Sequence, residues 1–412
     1  MHERDDRALA AIRTLLRSSH LASPGDLPEL VRAGLTHLGV QDGALLLADY
    51  EQEWLVPLLD DTTRTGAPTD AVAIEGTVPG VVYSDVRPHV STVGDVSTVW
   101  TPVLNGTERL GVLCLRLPPG EEADPGFLLD ARDVATLLAE LVLTRGAYGD
   151  AVERTRRRAR LSVAAELQWS LLPPLTFVAP EVSISGVLVP ATEVAGDSFD
   201  YSLDGDVAHV ALLDAMGHGL EATLLASVAL SVLRNTRRSS VPLPQRVLTA
   251  DRVVATQFGA DKFLTGVVGE LHVPSGTWSW VTCGHPPALL LREGRVVKRL
   301  DTAVGVPIGL GLFDGPPEVV SERLQPGDRL LLHTDGVTEA RDEAGTFFGV
   351  ERLVDLLVRE DADGRPVAET LRRLNRALLR HQHGQLQDDA TTVIVEWRSG
   401  AATRTDGGTA PP

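Results

Sequence analysis

Cysteine is nearly absent: Cys114 and Cys283 are the only two in 412 residues. That count excludes a disulfide framework and a four-cysteine zinc site. Aromatic residues make up only 4% of the chain. No apolar run approaches the length of a membrane span, and the opening MHERDDRALAAIR lacks the hydrophobic stretch of a secretory signal. The expectation is a cytoplasmic protein without a membrane partner. Positive charge is also short, with 38 Lys and Arg against 56 Asp and Glu, a formal net charge of −18. A chain this acidic is a poor nucleic-acid binder and is repelled by anionic membrane surfaces. Lys262 and Lys298 are the only lysines, a bias that carries no functional message.

Hydrophobic residues make up 43% and charged residues 23%, ordinary values for a folded chain whose length predicts two or three domains. A tail or helix at 1–20 precedes a first segment, 21–147. There GALLLA (43–48), 54–59 and LGVLCLRL (110–117) read as strands. Helical spacing recurs at Leu27, Leu30, Val31, Gly34 and Leu35, and again at Val134, Leu137, Leu138, Leu141 and Val142. Helix, strands and closing helix predict a small α/β sensor, with Cys114 packed inside a strand. A connector, 148–176, holds five arginines between Arg154 and Arg160, then an apolar stripe from Leu161 to Leu172 that Pro173-Pro174 stops. It reads either as a linking helix with a solvated arginine face or as a signalling helix that dimerises or docks on the next domain. From 177 to 398, strands at 207–213, 264–273, 277–281, 329–333 and 391–397 with helices at 219–235 and 366–381 predict a β-rich α+β sandwich. The end, 399–412, is small and polar and reads as a disordered tail.

Four places in this last segment share a pattern, an aspartate beside an apolar strand with a turn former next to it. They are Glu193-Val-Ala-Gly-Asp197-Ser-Phe-Asp200, Asp214-Ala-Met-Gly-His-Gly219, His333-Thr-Asp335-Gly-Val-Thr and Asp388-Asp389-Ala-Thr-Thr. Singly, each is turn chemistry. Gathered at one end of a sandwich, so many carboxylates need a compensating cation. Hard oxygen ligands with few histidines point to Mg2+ or Mn2+ and away from zinc. Two such ions about 3.5–4 Å apart activate water for in-line attack on phosphorus, so phosphoester hydrolysis leads. A cysteine-based phosphatase needs an arginine six residues past its cysteine, where this chain has Leu289 and Gly120. His333 occupies the nucleophile position of an aspartyl-phosphatase motif, and no phosphate-binding Gly-Lys loop is present.

In order and spacing, the four motifs resemble the SpoIIE/RsbU-type branch of the metal-dependent Ser/Thr phosphatases, the bacterial type 2C enzymes. TDGVTEA (334–340) and DDATTV (388–393) match almost unchanged, and Gln168-Trp-Ser-Leu-Leu-Pro173 resembles that branch's regulatory linker. The resemblance covers 161–397 and implies an α-β-β-α sandwich holding two Mg2+ or Mn2+ ions. It implies that Asp214 bridges the ions, that Asp197 and the Ala215 carbonyl complete one shell, and that Asp335 and Asp388 hold the other ion, with Asp389 the alternative to Asp388. Glu193 and Asp200 are expected to support rather than ligate. His218 is left between a turn role and a place near substrate phosphate, while His285 is expected to fix a turn. The implied substrate is a phosphorylated STAS-type antagonist of an anti-sigma factor. The first segment resembles a GAF-type sensor through AIEGTVPG (73–80), TPVL (101–104) and LGVL (110–113), whose ligand is a small molecule or none at all, and the connector helix offers a homodimer contact. Two other readings stay open: a non-catalytic phosphoprotein-binding module, and a hydrolase of small phosphoesters.

Overall fold

The structure is a computed structural model that describes residues 2–59, 70–158, 162–189, 196–301, 305–362, 365–383 and 386–398. The expected tail at 399–412, and Glu193 with Ala195, lie outside the described residues. The chain divides into two compact units, Met1–Arg160 and Leu161–Pro412.

The first unit runs α1 (His2–Ser19), α2 (Leu27–Leu35), β1 (Asp42–Ala48), β2 (Trp54–Pro57), β3 (Val72–Ala73), α3 (Val78–Asp85), β4 (His89–Val93), β5 (Val96–Asn105), β6 (Glu108–Arg116), α4 (Pro125–Gly146) and α5 (Ala151–Arg156). Its strands form one antiparallel sheet in the order β3-β2-β1-β6-β5-β4. Alternation along β1 and β6 splits their side chains between two faces. Leu45, Leu47 and Leu113 join Leu15, Leu35 and Leu138 from α1, α2 and α4, whereas Leu46 and Val112 meet Val82 and Tyr83 of α3. Residues 1–20 therefore contribute a packed helix rather than a tail, because Ala8, Ala11 and Leu15 are buried. Cys114 faces the smaller core, and burial pushes its thiol up to about 11, which keeps it unreactive.

The connector corrects the expectation of one helix over 148–176. The last helix of the first unit ends at Arg156, and a separate helix, α6 (Val163–Leu171), opens the second unit with the Ser162 hydroxyl capping its Ala165 amide at 3.1 Å. Arg154 and Arg158 are exposed, in keeping with a solvated face, but two of the arginines are also anchored. Arg156 lies over the Tyr50 ring and donates to the Ala48 carbonyl, and Arg158 lies over Trp54.

The second unit continues with β7 (Thr176–Val178), β8 (Val182–Val189), β9 (Ser198–Asp204), β10 (Val207–Ala215), α7 (Gly219–Arg238), α8 (Leu243–Phe258), β11 (Leu264–His272), β12 (Thr277–Cys283), β13 (Leu289–Arg292), β14 (Arg295–Arg299), β15 (Val320–Arg323), β16 (Arg329–His333), α9 (Asp335–Thr338), α10 (Gly349–Ala362), α11 (Val367–His381) and β17 (Ala390–Trp397). Two antiparallel sheets result, β15-β12-β11-β10-β9 and β14-β13-β16-β17-β8-β7. Both contribute to one shared core, in which Ile184, Leu332 and Val395 from the second sheet meet Phe199, Leu212 and Trp278 from the first. The remaining face of the first sheet is covered by α7 and α8, and that of the second by α10 and α11. With both faces covered, all eight residues of β8 are buried. The mixed α+β class expected from the sequence holds, and two long helices beyond those read from the periodicity, α8 and α10, complete it.

Candidate active site

The strand directions bring the four aspartate motifs to one end of the two sheets. Strand β10 ends in Asp214 and Ala215, and its register with β9 pairs Leu213 with Ser198, which places Asp197 beside Asp214. In the other sheet, β16 runs into Thr334 and Asp335 while β17 starts just after Asp388 and Asp389, with His333 opposite Thr392. The Thr334 amide donates to the Thr391 carbonyl at 3.0 Å, and the Thr334 hydroxyl donates to Asp197 Oδ2 at 2.7 Å. Thr334 is fully buried, so this hydroxyl is a fixed tie between a carboxylate of one sheet and the turn of the other.

Electrostatics report how close the carboxylates are. Burial foremost, then the charges of Asp214 and Asp389, hold the Asp197 carboxyl well above the usual carboxylate range. Burial, followed by Asp335, Asp388 and Asp389, pushes Asp214 up to about 7. Asp388 is raised by burial and by Asp335 and Glu339, with His218 acting in the opposite direction. Each group is thus disfavoured as an anion first by burial and then by its acidic neighbours, as expected of carboxylates gathered without a counter-charge. Among the described residues no group of three or more His, Cys, Asp or Glu side chains is arranged to hold a metal ion. What fits a divalent cation is the chemistry of the donor set, all hard oxygens whose mutual repulsion a cation would relieve. Asp335 and Asp388 are exposed and Asp214 half-buried, so their carboxylates are accessible, whereas Asp197 and Asp389 are buried.

Residues outside the four motifs complete the site. Gln168 of α6 is buried, and its Nε2 donates to the Asp197 carbonyl at 2.7 Å and to Asp389 Oδ2 at 2.9 Å. Its helix is held at the other end by Arg234, which donates to the Leu171 carbonyl and to Asp200 Oδ1. Asp200 also takes Arg237 at 2.7 Å, so it anchors α7, in keeping with the supporting role expected of it. The sequence pattern flagged Gln168 only as part of a linker and gave no sign that it reaches two aspartates. Exchanging it for leucine leaves the Asp389 carboxylate without this donor and should lower turnover about 10–100-fold. Unchanged kcat in steady-state assays would refute that role.

His285 is a buried brace. Its Nδ1 lies 2.9 Å from the Thr265 hydroxyl and its Nε2 lies 3.1 Å from the His333 carbonyl. A carbonyl only accepts, so Nε2 carries the proton and Nδ1 accepts from Thr265. Burial foremost lowers its pKa to about 3, which keeps the ring neutral. Thr265 is the cross-strand partner of Asp214, so the brace joins β11 beside that aspartate to the end of β16. His218, in the turn between Gly217 and Gly219, is exposed. Cys283 is buried with its thiol pushed up to about 12, which removes it as a nucleophile.

Residues 204–398 match the family model for Stage II sporulation protein E (SpoIIE). The phosphoserine phosphatase RsbU of Bacillus subtilis is 24% identical over 240 residues, covering 58% of this chain and 70% of the relative. Protein IcfG of Synechocystis is 26% identical over 270 residues, covering 59% of this chain but only 42% of that protein. Among solved structures, the RsbU and RsbW domains of a Mycobacterium tuberculosis protein share 27% identity. That match has a TM-score of 0.47 and covers 54% of this chain and 63% of the other. By these matches the second unit resembles the SpoIIE family over residues 204–398.

Proposed function

We propose that the chain is a Mg2+- or Mn2+-dependent phosphatase that hydrolyses phosphoserine or phosphothreonine in a protein by attack of water on phosphorus. The observation that carries this reading is the convergence of Asp197, Asp214, Asp335, Asp388 and Asp389 from two sheets, each raised carboxyl reporting its acidic neighbours. Asp214 would be shared by two ions, with Asp197 and the Ala215 carbonyl on one side and Asp335 and Asp388 on the other. The exposure of Asp388 supports it over Asp389, one of whose oxygens is occupied by Gln168. When bound, the ions would neutralise phosphate charge and lower the pKa of a water. The chain's own part is to fix the donors: Thr334 orients Asp197, Gln168 orients Asp389, and His285 braces the strand ends that carry Asp214 and Asp335.

The α-β-β-α sandwich of the type 2C phosphatases is the arrangement we read in the second unit, supported by its shared core and outer helix pairs. The substrate we propose is a phosphorylated STAS-type antagonist, supported by the motif resemblance and by RsbU and a second B. subtilis relative, RsbP, both named phosphoserine phosphatases. The first unit is proposed as a sensor that acts through α6, whose Gln168 enters the site. The test is hydrolysis of p-nitrophenyl phosphate by the full chain with Mn2+ and with EDTA, followed by a phosphorylated STAS protein against nucleotides. Manganese-dependent turnover with preference for the phosphoprotein is expected. Preference for nucleotides would shift the reading to small phosphoesters, and silence on every substrate would favour a binding module.

A further inference from the structure

Asp251 puts a carboxyl group on the buried side of α8, at the helical spacing of Val247 and Val254, and is only 1% exposed. A carboxyl group in such a layer costs free energy unless it is hydrogen-bonded. Its Oδ1 accepts from two backbone amides, Gly309 at 2.7 Å and Gly311 at 3.0 Å. Both glycines have positive φ, 108° and 65°, a backbone that aims alternate amides at one oxygen. The segment is also packed closely, since a Cβ on Gly309 would lie 2.6 Å from the Lys262 carbonyl oxygen. Asp251 therefore ties the 308–311 segment to α8. None of these residues belongs to the four aspartate motifs.

What the segment touches is the carboxylate end of the first sheet. The ladder between β11 and β12 begins at Val267. Before it, apart from a single bridge between Gly266 and Gly284, the neighbour of β11 is Ile308. Leu264 and Ile308 exchange both backbone bonds, the Leu264 amide donating at 2.8 Å and the Ile308 amide at 2.9 Å. On its other side Leu264 is the cross-strand partner of Ala215, and Thr265 is that of Asp214. The Ala215 amide donates to the Gly196 carbonyl at 3.3 Å, and the Met216 amide to the Phe263 carbonyl at 3.0 Å. One row of backbone thus runs Gly196, Ala215, Leu264, Ile308, and Asp251 holds its outer end. A ligating carbonyl has no side-chain torsion with which to correct its aim, so the Ala215 oxygen depends on this row.

We propose that Asp251 is a positioning residue for the metal-binding end of β10, acting through Ile308 and Leu264 on the Ala215 carbonyl and the Asp214 carboxylate. The inference rests on the reading of the carboxylates as ligands to divalent ions. The test is titration of the full chain with Mn2+ by calorimetry, well below the melting temperature, alongside hydrolysis of p-nitrophenyl phosphate. Asp251→Leu removes the acceptor of both amides and should weaken Mn2+ binding about 10–100-fold, with a lower kcat. Asp251→Asn keeps a side-chain carbonyl that accepts from both glycines, and should recover most of that affinity. Leu371→Ala opens a cavity beneath α11, in the other helical layer; it should lower stability by packing alone and leave Mn2+ affinity unchanged. Coupling is reciprocal, so in the unaltered chain Mn2+ should slow amide exchange at Leu264, Ile308, Gly309 and Gly311 more than in β13 and β14. The exchange measurement decides the matter even if Asp251→Leu fails to fold. No Mn2+ binding by the unaltered chain would overturn the metal reading itself. The role of Asp251 alone is overturned by any of four results: affinity unchanged in Asp251→Leu, an equal loss in Asp251→Asn, an equal loss in Leu371→Ala, or no added protection at Ile308.

Discussion

Asp214→Asn should abolish turnover and, in the absence of divalent metal, make the protein more stable. The first half follows from the place of Asp214 in the proposed site. A shared metal ligand contributes several kcal/mol of charge stabilisation, and about 4 kcal/mol corresponds to a 10³-fold loss. The second half follows from its surroundings. Burial and three acidic neighbours push its carboxyl up to about 7, against an unfolded value near 3.8. Between those values the folded protein binds a proton that the unfolded chain has released, so the group's contribution to stability falls as pH rises from about 4 to about 7. Above pH 7 the metal-free protein carries the full cost of ionising it, and an uncharged asparagine of similar shape removes that cost. Saturating Mn2+ reverses the order, because an ion at 100 times its Kd adds about 2.7 kcal/mol to the unaltered protein and much less to a variant lacking the shared ligand. Melting curves at pH 5.5 and 7.5, with EDTA and with Mn2+, check both halves. A variant that melts below the unaltered protein in EDTA at pH 7.5 would show that the aspartates do not repel one another as described.

The strands that carry the site were legible because their signal is local. The stretch 329–333 reads as a strand from its apolar run, and that is where β16 lies; β10, β11, β12 and β17 extend one or two residues at most beyond the expected ends or stop one short. The aspartates at their ends were legible for the same reason, each lying next to a strand and a turn former. Gln168 was not, since its partners are 29 and 221 residues away and nothing in the order of side chains along α6 reveals which of them turns inward. The helix α8 escaped because its buried face includes Arg246 and Asp251, charges that break an apolar stripe. Tertiary partners satisfy both: Arg246 pairs with Glu270, and Asp251 accepts from the Gly309 and Gly311 amides. In the connector, the contacts of Arg156 and Arg158 with the rings of Tyr50 and Trp54 were not legible either, because those rings lie about a hundred residues earlier.

Gly336→Ala should cost about 10²-fold or more in turnover although it replaces none of the proposed ligands. Gly336 follows Asp335 at the start of α9, and a Cβ there would sit 1.9 Å from the Asp389 carbonyl oxygen and 2.9 Å from its carbon. The obstructing atoms are backbone, in the turn that β17 extends, so no side chain can rotate away to make room. The two turns would have to separate by about 1 Å, and Asp335 and Asp388, one on each turn, would separate with them. A displacement of that size at a catalytic centre costs about 10²-fold. The same clash should destabilise the fold, because Thr334 ties the Asp335 turn both to Asp197 and to the Thr391 backbone. Loss of activity alone would not separate the two effects. Turnover should therefore be measured as a function of Mn2+ well below the melting temperature. Displaced ligands require a higher Mn2+ midpoint together with a lower kcat, whereas a merely less stable protein would keep both. An unchanged midpoint and kcat in the folded variant would mean that the Asp335 and Asp388 turns do not act as one unit.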